Sequence, residues 1–245
     1  GRSGFSLTDE GEQVYQAILQ LLSSHQEFQL RINSIHSELK GDLDIGITDC
    51  LVTLPQMQIT DSIKTLKSKA PEVNVNIEMV PAKDVIKGIL DGRLHTGVAP
   101  VSSKNPNLKY IHLYNEQSNL YCSSDHPLFS YTDEELEPEL LFKCDAVFPS
   151  YQQSSDIRSH FNQFKKTAQA SDREGIAFLI LTGSYIGYLP THFARKWADE
   201  GIMKAISPAR YNFLTPYAAI TRKDLAPNLI LSCFLEGLQD LIEPA

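Results

Sequence analysis

The residues best placed to bind a ligand are Thr48, Asp49 and Cys50. They follow the alternating run Leu43-Asp44-Ile45-Gly46-Ile47, at the point where a strand pattern ends. In open α/β sheets ligands settle beyond the carboxyl ends of strands, where amides at the start of the next helix are free to bond them. A hydroxyl, a carboxylate and a thiol at that place suit recognition of a small polar molecule. Covalent chemistry has less support. No G-x-G-x-x-G follows a strand and no G-x-x-x-x-G-K-[ST] is present, so no dinucleotide or nucleotide phosphate site is signalled. Gly183-Ser184-Tyr185-Ile186-Gly187 sets Ser184 beside the first glycine, whereas a nucleophile elbow needs serine in the centre. The seven histidines show no H-E-x-x-H spacing. Cys50, Cys122, Cys144 and Cys233 are far apart and form no C-x-x-C, so they read as reduced thiols and not as zinc ligands. No catalytic residue, metal or cofactor is expected.

The elements that must position these residues are legible in the same stretch. Val73, Val75, Ile77 and Met79 alternate with Asn74, Asn76 and Glu78 as a second strand. Between the two strands Ile59, Ile63 and Leu66 recur at helical spacing, with Lys67 and Lys69 where a helix end favours positive charge. A strand, helix, strand unit of this kind crosses over right-handed and gives a parallel pair. Beyond it we expect a helix over 84–90 and a strand over 94–101 closed by Pro100. Short strands at 110–113 and 119–122 follow, then an acidic helix at 133–141 and a strand at 145–148. Ser155 is expected to cap a helix over 156–164, and Ser171 to precede one over 172–181. A strand over 185–189, a helix over 191–200, a strand over 213–221 and a terminal helix over 228–242 complete the order. Strands alternating with helices argue for parallel α/β sheets, and their number suits two.

Residues 8–40 contain no proline, Thr8 suits an N-cap and Gly41 a stop. Within them Val14, Ile18, Leu21, His25, Phe28, Ile32, Ile35 and Leu39 form a heptad seam. About 32 helical residues give a rod of roughly 48 Å, too long to bury its stripe on one domain, so it reads as a dimerisation helix. The chain has 245 residues and a net charge of −8, which repels nucleic acid. No run approaches the ~20 apolar residues of a membrane span, and no secretory leader begins the chain. The first residue is Gly1, as in a piece cut from a longer polypeptide.

Ordered motifs then carry a family resemblance. Gly4-Phe5-Ser6-Leu7-Thr8-Asp9-Glu10-Gly11 before a long helix resembles the end of the winged helix-turn-helix and linker helix of LysR-type transcriptional regulators. Gly41 to Gly46, Leu54-Pro55, Pro71-Glu72-Val73, Leu90 to Leu94, His126-Pro127-Leu128, and Gly183 to Gly187 with Leu189-Pro190 follow in that family's order. The resemblance covers essentially the whole chain. It implies an α/β fold: two Rossmann-like subdomains of the periplasmic-binding-protein type joined by a two-strand hinge and preceded by a linker/dimerisation helix. Segment 1–40 would be the end of the DNA-binding wing and the linker, 41–113 plus 216–245 subdomain I, and 114–215 subdomain II. It further implies a cytoplasmic homodimer or homotetramer that reaches DNA only through an absent N-terminal domain, with RNA polymerase as a contact of the full-length protein and no membrane association.

The resemblance also implies a small-molecule effector in the cleft between subdomains. Its polar contacts would come from Thr48 and Asp49, with Cys50 beside them, from Ser123, and from Pro100, Val101, Tyr151, Phe178, Ser184 and Thr215. Binding would shift the subdomain angle and hence the packing of dimers. Asp49 departs from the usual small uncharged residue. An acid there competes with an anionic effector for the helix amides and favours a neutral or nitrogen-bearing one, unless Asp49 only caps its own helix. Two alternatives stay open: a redox sensor using Cys50 and Cys122, and a transporter's solute-binding receptor of the same bilobed fold.

Overall fold

The computed structural model describes residues 7–35, 39–54, 58–224 and 228–240. Gly4 to Ser6, Pro55, Ile242 and the side chains of His25, Ile32 and Ile35, all invoked above, lie outside the described residues. The chain opens with α1 (Asp9–Ile35) and continues as β1 (Gly41–Ile47), a 3-10 turn (Leu51–Thr53), α2 (Gln58–Lys69), β2 (Val73–Met79), α3 (Ala82–Leu90) and β3 (Thr96–Pro100). Next come β4 (Leu108–Ser123), a 3-10 turn (Pro127–Ser130), α4 (Pro138–Leu141), β5 (Asp145–Pro149), α5 (Ser155–Ser159), β6 (Lys165–Ala170) and α6 (Arg173–Leu181). The order ends with β7 (Gly187–Pro190), α7 (Thr191–Asp199), β8 (Met203–Ala205), β9 (Asn212–Arg222) and α8 (Leu229–Asp240).

The opening unit forms as its pattern dictates. β1 pairs parallel with β2 from Gly41↔Val73 to Ile47↔Met79 and parallel with β3 on its other side. Leu43, Ile45, Leu66, Val73 and Val98 close a core with Ile230, Phe234 and Leu238 of α8, so the terminal helix packs on the first lobe. Gly97 permits this density: a Cβ there would overlap the Val85 side chain and stand 2.9 Å from the Gly46 carbonyl.

The sheet differs from the parallel expectation. The strand order is β2-β1-β3-β9-β4-β7, with β8 on β4, and β9, β4 and β7 run antiparallel to their neighbours. The two short strands expected at 110–113 and 119–122 are one strand, β4, of 16 residues. It pairs with β9 from Leu108↔Arg222 to Asn119↔Asn212, with a register shift between His112 and Tyr114. Two long antiparallel strands thus carry the chain from one lobe to the other and back, and join the lobes' sheets. A separate parallel pair, β5 and β6, completes the second lobe. Its core is aromatic: Phe161, Phe164, Tyr188 and Tyr211 lie together, with Phe213 packed against them.

Other expectations shift locally. The acidic helix expected over 133–141 contracts to α4, because Pro138 can start a helix at its first turn but cannot sit within one. α5 is capped by Ser154, whose side chain accepts from the Ile157 amide, and not by Ser155. α6 is capped by Asp172, accepting from the Gly175 amide at 2.7 Å. β6 and β8 were not read from the sequence. β6 is an edge strand of Lys, Thr and Gln that shows little apolar alternation.

Candidate functional site

β1 does not lead directly into a helix. Thr48 is buried, its amide donating to the Val98 carbonyl at 3.3 Å, and Cys50 takes a left-handed backbone at φ 67° before the 3-10 turn. Asp49 therefore caps no helix of its own. Its carboxylate crosses to the other lobe, where it accepts from the Arg173 amide at 2.7 Å and from the Arg173 guanidinium. The helix amide it holds is thus the first of α6 and not one in its own segment, and its charge faces the Arg173 guanidinium.

Arg173 is the residue sequence reasoning missed. It sits in the first turn of α6, where the helix dipole disfavours a cation. Its side chain is only 7 % exposed. Besides Asp49 it donates to Glu116 Oε2 at 3.1 Å and to the Tyr217 hydroxyl at 2.6 Å, and it lies 5.6 Å from the centre of the Tyr151 ring. Burial alone pulls its pKa down. The nearby Tyr217, Glu116, Tyr151 and Asp49 outweigh that and hold the guanidinium firmly charged. Burial likewise pushes the Tyr151 phenol up to about 12. One side chain on the second lobe thus bonds the first lobe and both crossing strands.

Glu116 extends the network. It lies on β4 opposite Thr215 of β9, with its side chain 1 % exposed, and its Oε1 stands 3.1 Å from His192 Nε2 of α7. The other ring nitrogen of His192 is 2.7 Å from Thr53 Oγ1, a second link between the lobes. The period-two alternation of β4 sends Glu116 and Ser118 to the buried face and Asn115 and Gln117 to solvent.

A cavity of about 40 Å³ opens against this network. Four of the expected residues line it: Pro100, Val101, Tyr151 and Thr215. Glu116, Ser118 and Arg173 supply further polar groups, and Phe161, Tyr188 and Phe213 make an aromatic wall. Ser123 does not line the cavity; it pairs with Met203 at the far end of β4. Phe178 is 73 % exposed on α6, and Ser184 is exposed in the turn after it, its amide bonded to Thr182. Cys50 packs among Tyr121, Ile176 and Ala177. Burial raises its thiol pKa strongly and pushes that of Cys122 up to about 11, the opposite of what a reactive thiolate needs. All four cysteines are free. Among the described residues no cluster of His, Cys, Asp or Glu could hold a metal ion, and no helix is long and apolar enough to cross a membrane.

Comparison with known proteins converges on one family. The LysR substrate binding domain matches residues 36–242. The chain is 43 % identical over 238 residues to the HTH-type transcriptional activator BauR of Pseudomonas aeruginosa, covering 97 % of this chain and 78 % of that protein. Among solved structures, the fold is similar to full-length CbnR complexed with target DNA (TM-score 0.66, 16 % identity, 95 % of this chain and 80 % of that one). It is also similar to the effector-binding domain of QuiR in complex with shikimate (TM-score 0.68, 12 % identity, 82 % and 96 %). The same holds for the effector-binding domain of BenM with benzoate (TM-score 0.61, 15 % identity, 83 % and 93 %). The two-lobed α/β architecture, the ordered motifs and these matches agree, and the chain belongs to the LysR family of transcriptional regulators as its effector-binding domain.

Proposed function

We propose that the chain is the sensing and oligomerising part of such a regulator, and that a small molecule entering the cavity resets the angle between the lobes. The observation that carries this reading is the position of the cavity. It lies where β4 and β9 cross between lobes, beside Arg173, which bonds both crossing strands and Asp49 of the opposite lobe. A ligand there touches both crossing strands, through Glu116 and Thr215, and Arg173, which ties them to the opposite lobe. It shifts the equilibrium only by the difference in its affinity for the two arrangements.

The recognition set we assign is Pro100, Val101, Glu116, Ser118, Tyr151, Arg173 and Thr215, with Thr48, Asp49 and Cys50 behind it. We assign 41–113 with 216–245 to one lobe and 114–215 to the other, exchanging near Tyr114 and Thr215, a division that the pairing of β4 with β9 supports. α1 is the pairing helix. Val14, Ile18, Leu21 and Phe28 are 49–69 % exposed along one stripe. Glu12, Gln16 and Gln20 instead face the first lobe across an open space bounded by Asp91 and Arg222. The apolar stripe of α1 thus turns away from its own domain, toward a second copy. Leu39 lies past the helix and packs against the first lobe's core, which leaves it out of that stripe. DNA binding, and any contact with RNA polymerase, would belong to polypeptide outside this chain, in the cytoplasm.

Small-angle scattering and sedimentation with and without a cavity ligand test the reading together. We expect a ligand-dependent change in scattering profile at constant mass for the lobe motion, and a dimer that dissociates when Leu21→Asp and Phe28→Asp are combined. An unchanged profile at saturating ligand, or a monomer in the unsubstituted chain, would count against it.

A further inference from the structure

Another cavity, of about 150 Å³, lies in the first lobe, bounded by α2, the 3-10 turn after β1 and four strands. Its apolar wall includes Ile47 of β1, Leu51 of the turn, Ile59 and Ile63 of α2, Val98 of β3 and Leu113 of β4. It shares no lining residue with the cavity beside Arg173. Among the described residues its wall holds no Asp, Glu, Lys or Arg, and its polar members are Gln58, Thr60 and Tyr114. Val52 and Ile77, also in the wall, are 75 % and 49 % exposed, so the space reaches the surface.

Two oxygens of that wall are left over. Tyr114 Oη and Gln58 Oε1 are buried, and neither has a hydrogen-bond partner among the described residues. Buried polar atoms are nearly always paired, because an unpaired one gives up its water for nothing. The Tyr114 ring is set in place by stacking on Tyr217, with centroids 5.1 Å apart and planes 10° from parallel, and Arg173 holds the Tyr217 hydroxyl. Burial raises the pKa of the Tyr114 phenol, so it keeps its hydrogen and can donate as well as accept. Gln58 stands in the first turn of α2 and brings an amide, which likewise has both an acceptor and donors.

An apolar cavity of about 150 Å³ takes a molecule the size of benzene. Unpaired polar atoms in an otherwise aliphatic wall ask for a polar group on that molecule. The absence of charge in the wall rules out an ionised group, which would lose its water and gain no counter-charge. A hydroxyl can serve either atom, since it both donates and accepts, whereas a carboxylate only accepts and an ammonium only donates. We propose that this cavity is a second ligand site, separate from the one between the lobes, for a small uncharged ring compound bearing a hydroxyl, in its simplest form a phenol, held by the unpaired oxygens of Tyr114 and Gln58. The inference stands whatever molecule the space beside Arg173 receives.

The test titrates the chain at neutral pH with phenol, toluene and benzoate, following methyl and tyrosine ring signals by nuclear magnetic resonance. Phenol, with a pKa of about 10 like that of tyrosine, is uncharged there, and benzoate is an anion. Phenol is expected to shift the methyl signals of Leu51, Ile59, Ile63 and Leu113 and to bind about tenfold or more tighter at that place than benzoate, which must bury its charge. Tyr114→Phe, which keeps the stacked ring, and Gln58→Leu are each expected to weaken phenol about tenfold, the worth of a hydrogen bond to a buried group, and to change toluene less than about twofold. Benzoate binding there as tightly as phenol, phenol affinity unchanged in both variants, or no probe shifting those methyls would overturn the inference. Phenol shifting only the signals of Tyr151 and Thr215 would overturn it too and leave the cavity between the lobes standing. Should Tyr114→Phe not fold, Gln58→Leu and the contrast between phenol and benzoate in the unsubstituted chain decide.

Discussion

Replacing Arg173 by Met keeps most of the stem's volume and removes the guanidinium. Glu116 then stays buried with only His192 beside it, the Tyr217 hydroxyl loses a 2.6 Å partner, and Asp49 loses its link across the lobes. Breaking a buried ion pair by deleting one partner costs about 3–5 kcal/mol, because the other charge is stranded. For a chain of this size each kcal/mol moves the melting temperature by about 2–4 °C, so Arg173→Met should melt roughly 6–20 °C lower. Replacing both partners removes the stranded charge. Arg173→Met with Glu116→Gln should therefore be more stable than Arg173→Met alone, with a coupling of about 0.5–3 kcal/mol. Urea unfolding followed by the fluorescence of the single tryptophan, Trp197 on α7, measures both. An Arg173→Met chain within about 0.5 kcal/mol of the parent, the range of ordinary surface substitutions, or strictly additive effects in the double variant, would refute the buried network as a structural tie.

Three further outcomes are expected. His126 is buried with Nδ1 accepting from the Leu128 amide at 3.1 Å, and burial holds its pKa below the ordinary 6.5. The unfolded chain thus takes up the proton first, so stability is full above pH 6.5 and falls as pH drops toward the folded value; His126→Asn should flatten urea midpoints measured from pH 8 to pH 5. Gly97→Ala puts a methyl into the Val85 side chain and should cost about 1–3 kcal/mol, read by the same unfolding curves. In thiol-labelling kinetics half-buried Cys144 should react before Cys50 and Cys122, and peroxide should yield no Cys50–Cys122 disulfide by mass spectrometry.

The parts of the fold written locally were legible. Alternation in 41–47 and 73–79, helical spacing in 59–66 and the face Leu231, Leu235, Leu238 announce their elements within a few residues, because one periodicity dominates each window. β4 was split in two because Asn115-Glu116-Gln117-Ser118-Asn119 is polar throughout and reads as a loop, although it lies buried on alternate positions between the lobes. The same polarity was the available sign of the site: a strand carries such a run where its side chains meet a ligand or other polar groups. Arg173 had a comparable sign, a cation directly after the cap residue Asp172, where propensity opposes it. Neither pairing was readable, since Asp49, Glu116 and Arg173 are 57 and 124 residues apart and meet only through the topology. Phe178 and Ser184 were carried over from the family's pattern, but α6 turns Phe178 outward, and Ser184 lies beyond the helix end.

The central claim is that the space beside Arg173 and Glu116 receives the effector. A thermal-shift screen of a metabolite library against three chains tests it most directly: the parent, Thr215→Phe, which fills the cavity from its rim, and Ser184→Phe, which alters an exposed turn outside it. Compounds that raise the melting temperature of the parent should do so equally in Ser184→Phe and lose the effect in Thr215→Phe. Stabilisation that persists in Thr215→Phe and vanishes in Ser184→Phe would place the effector elsewhere and contradict the account.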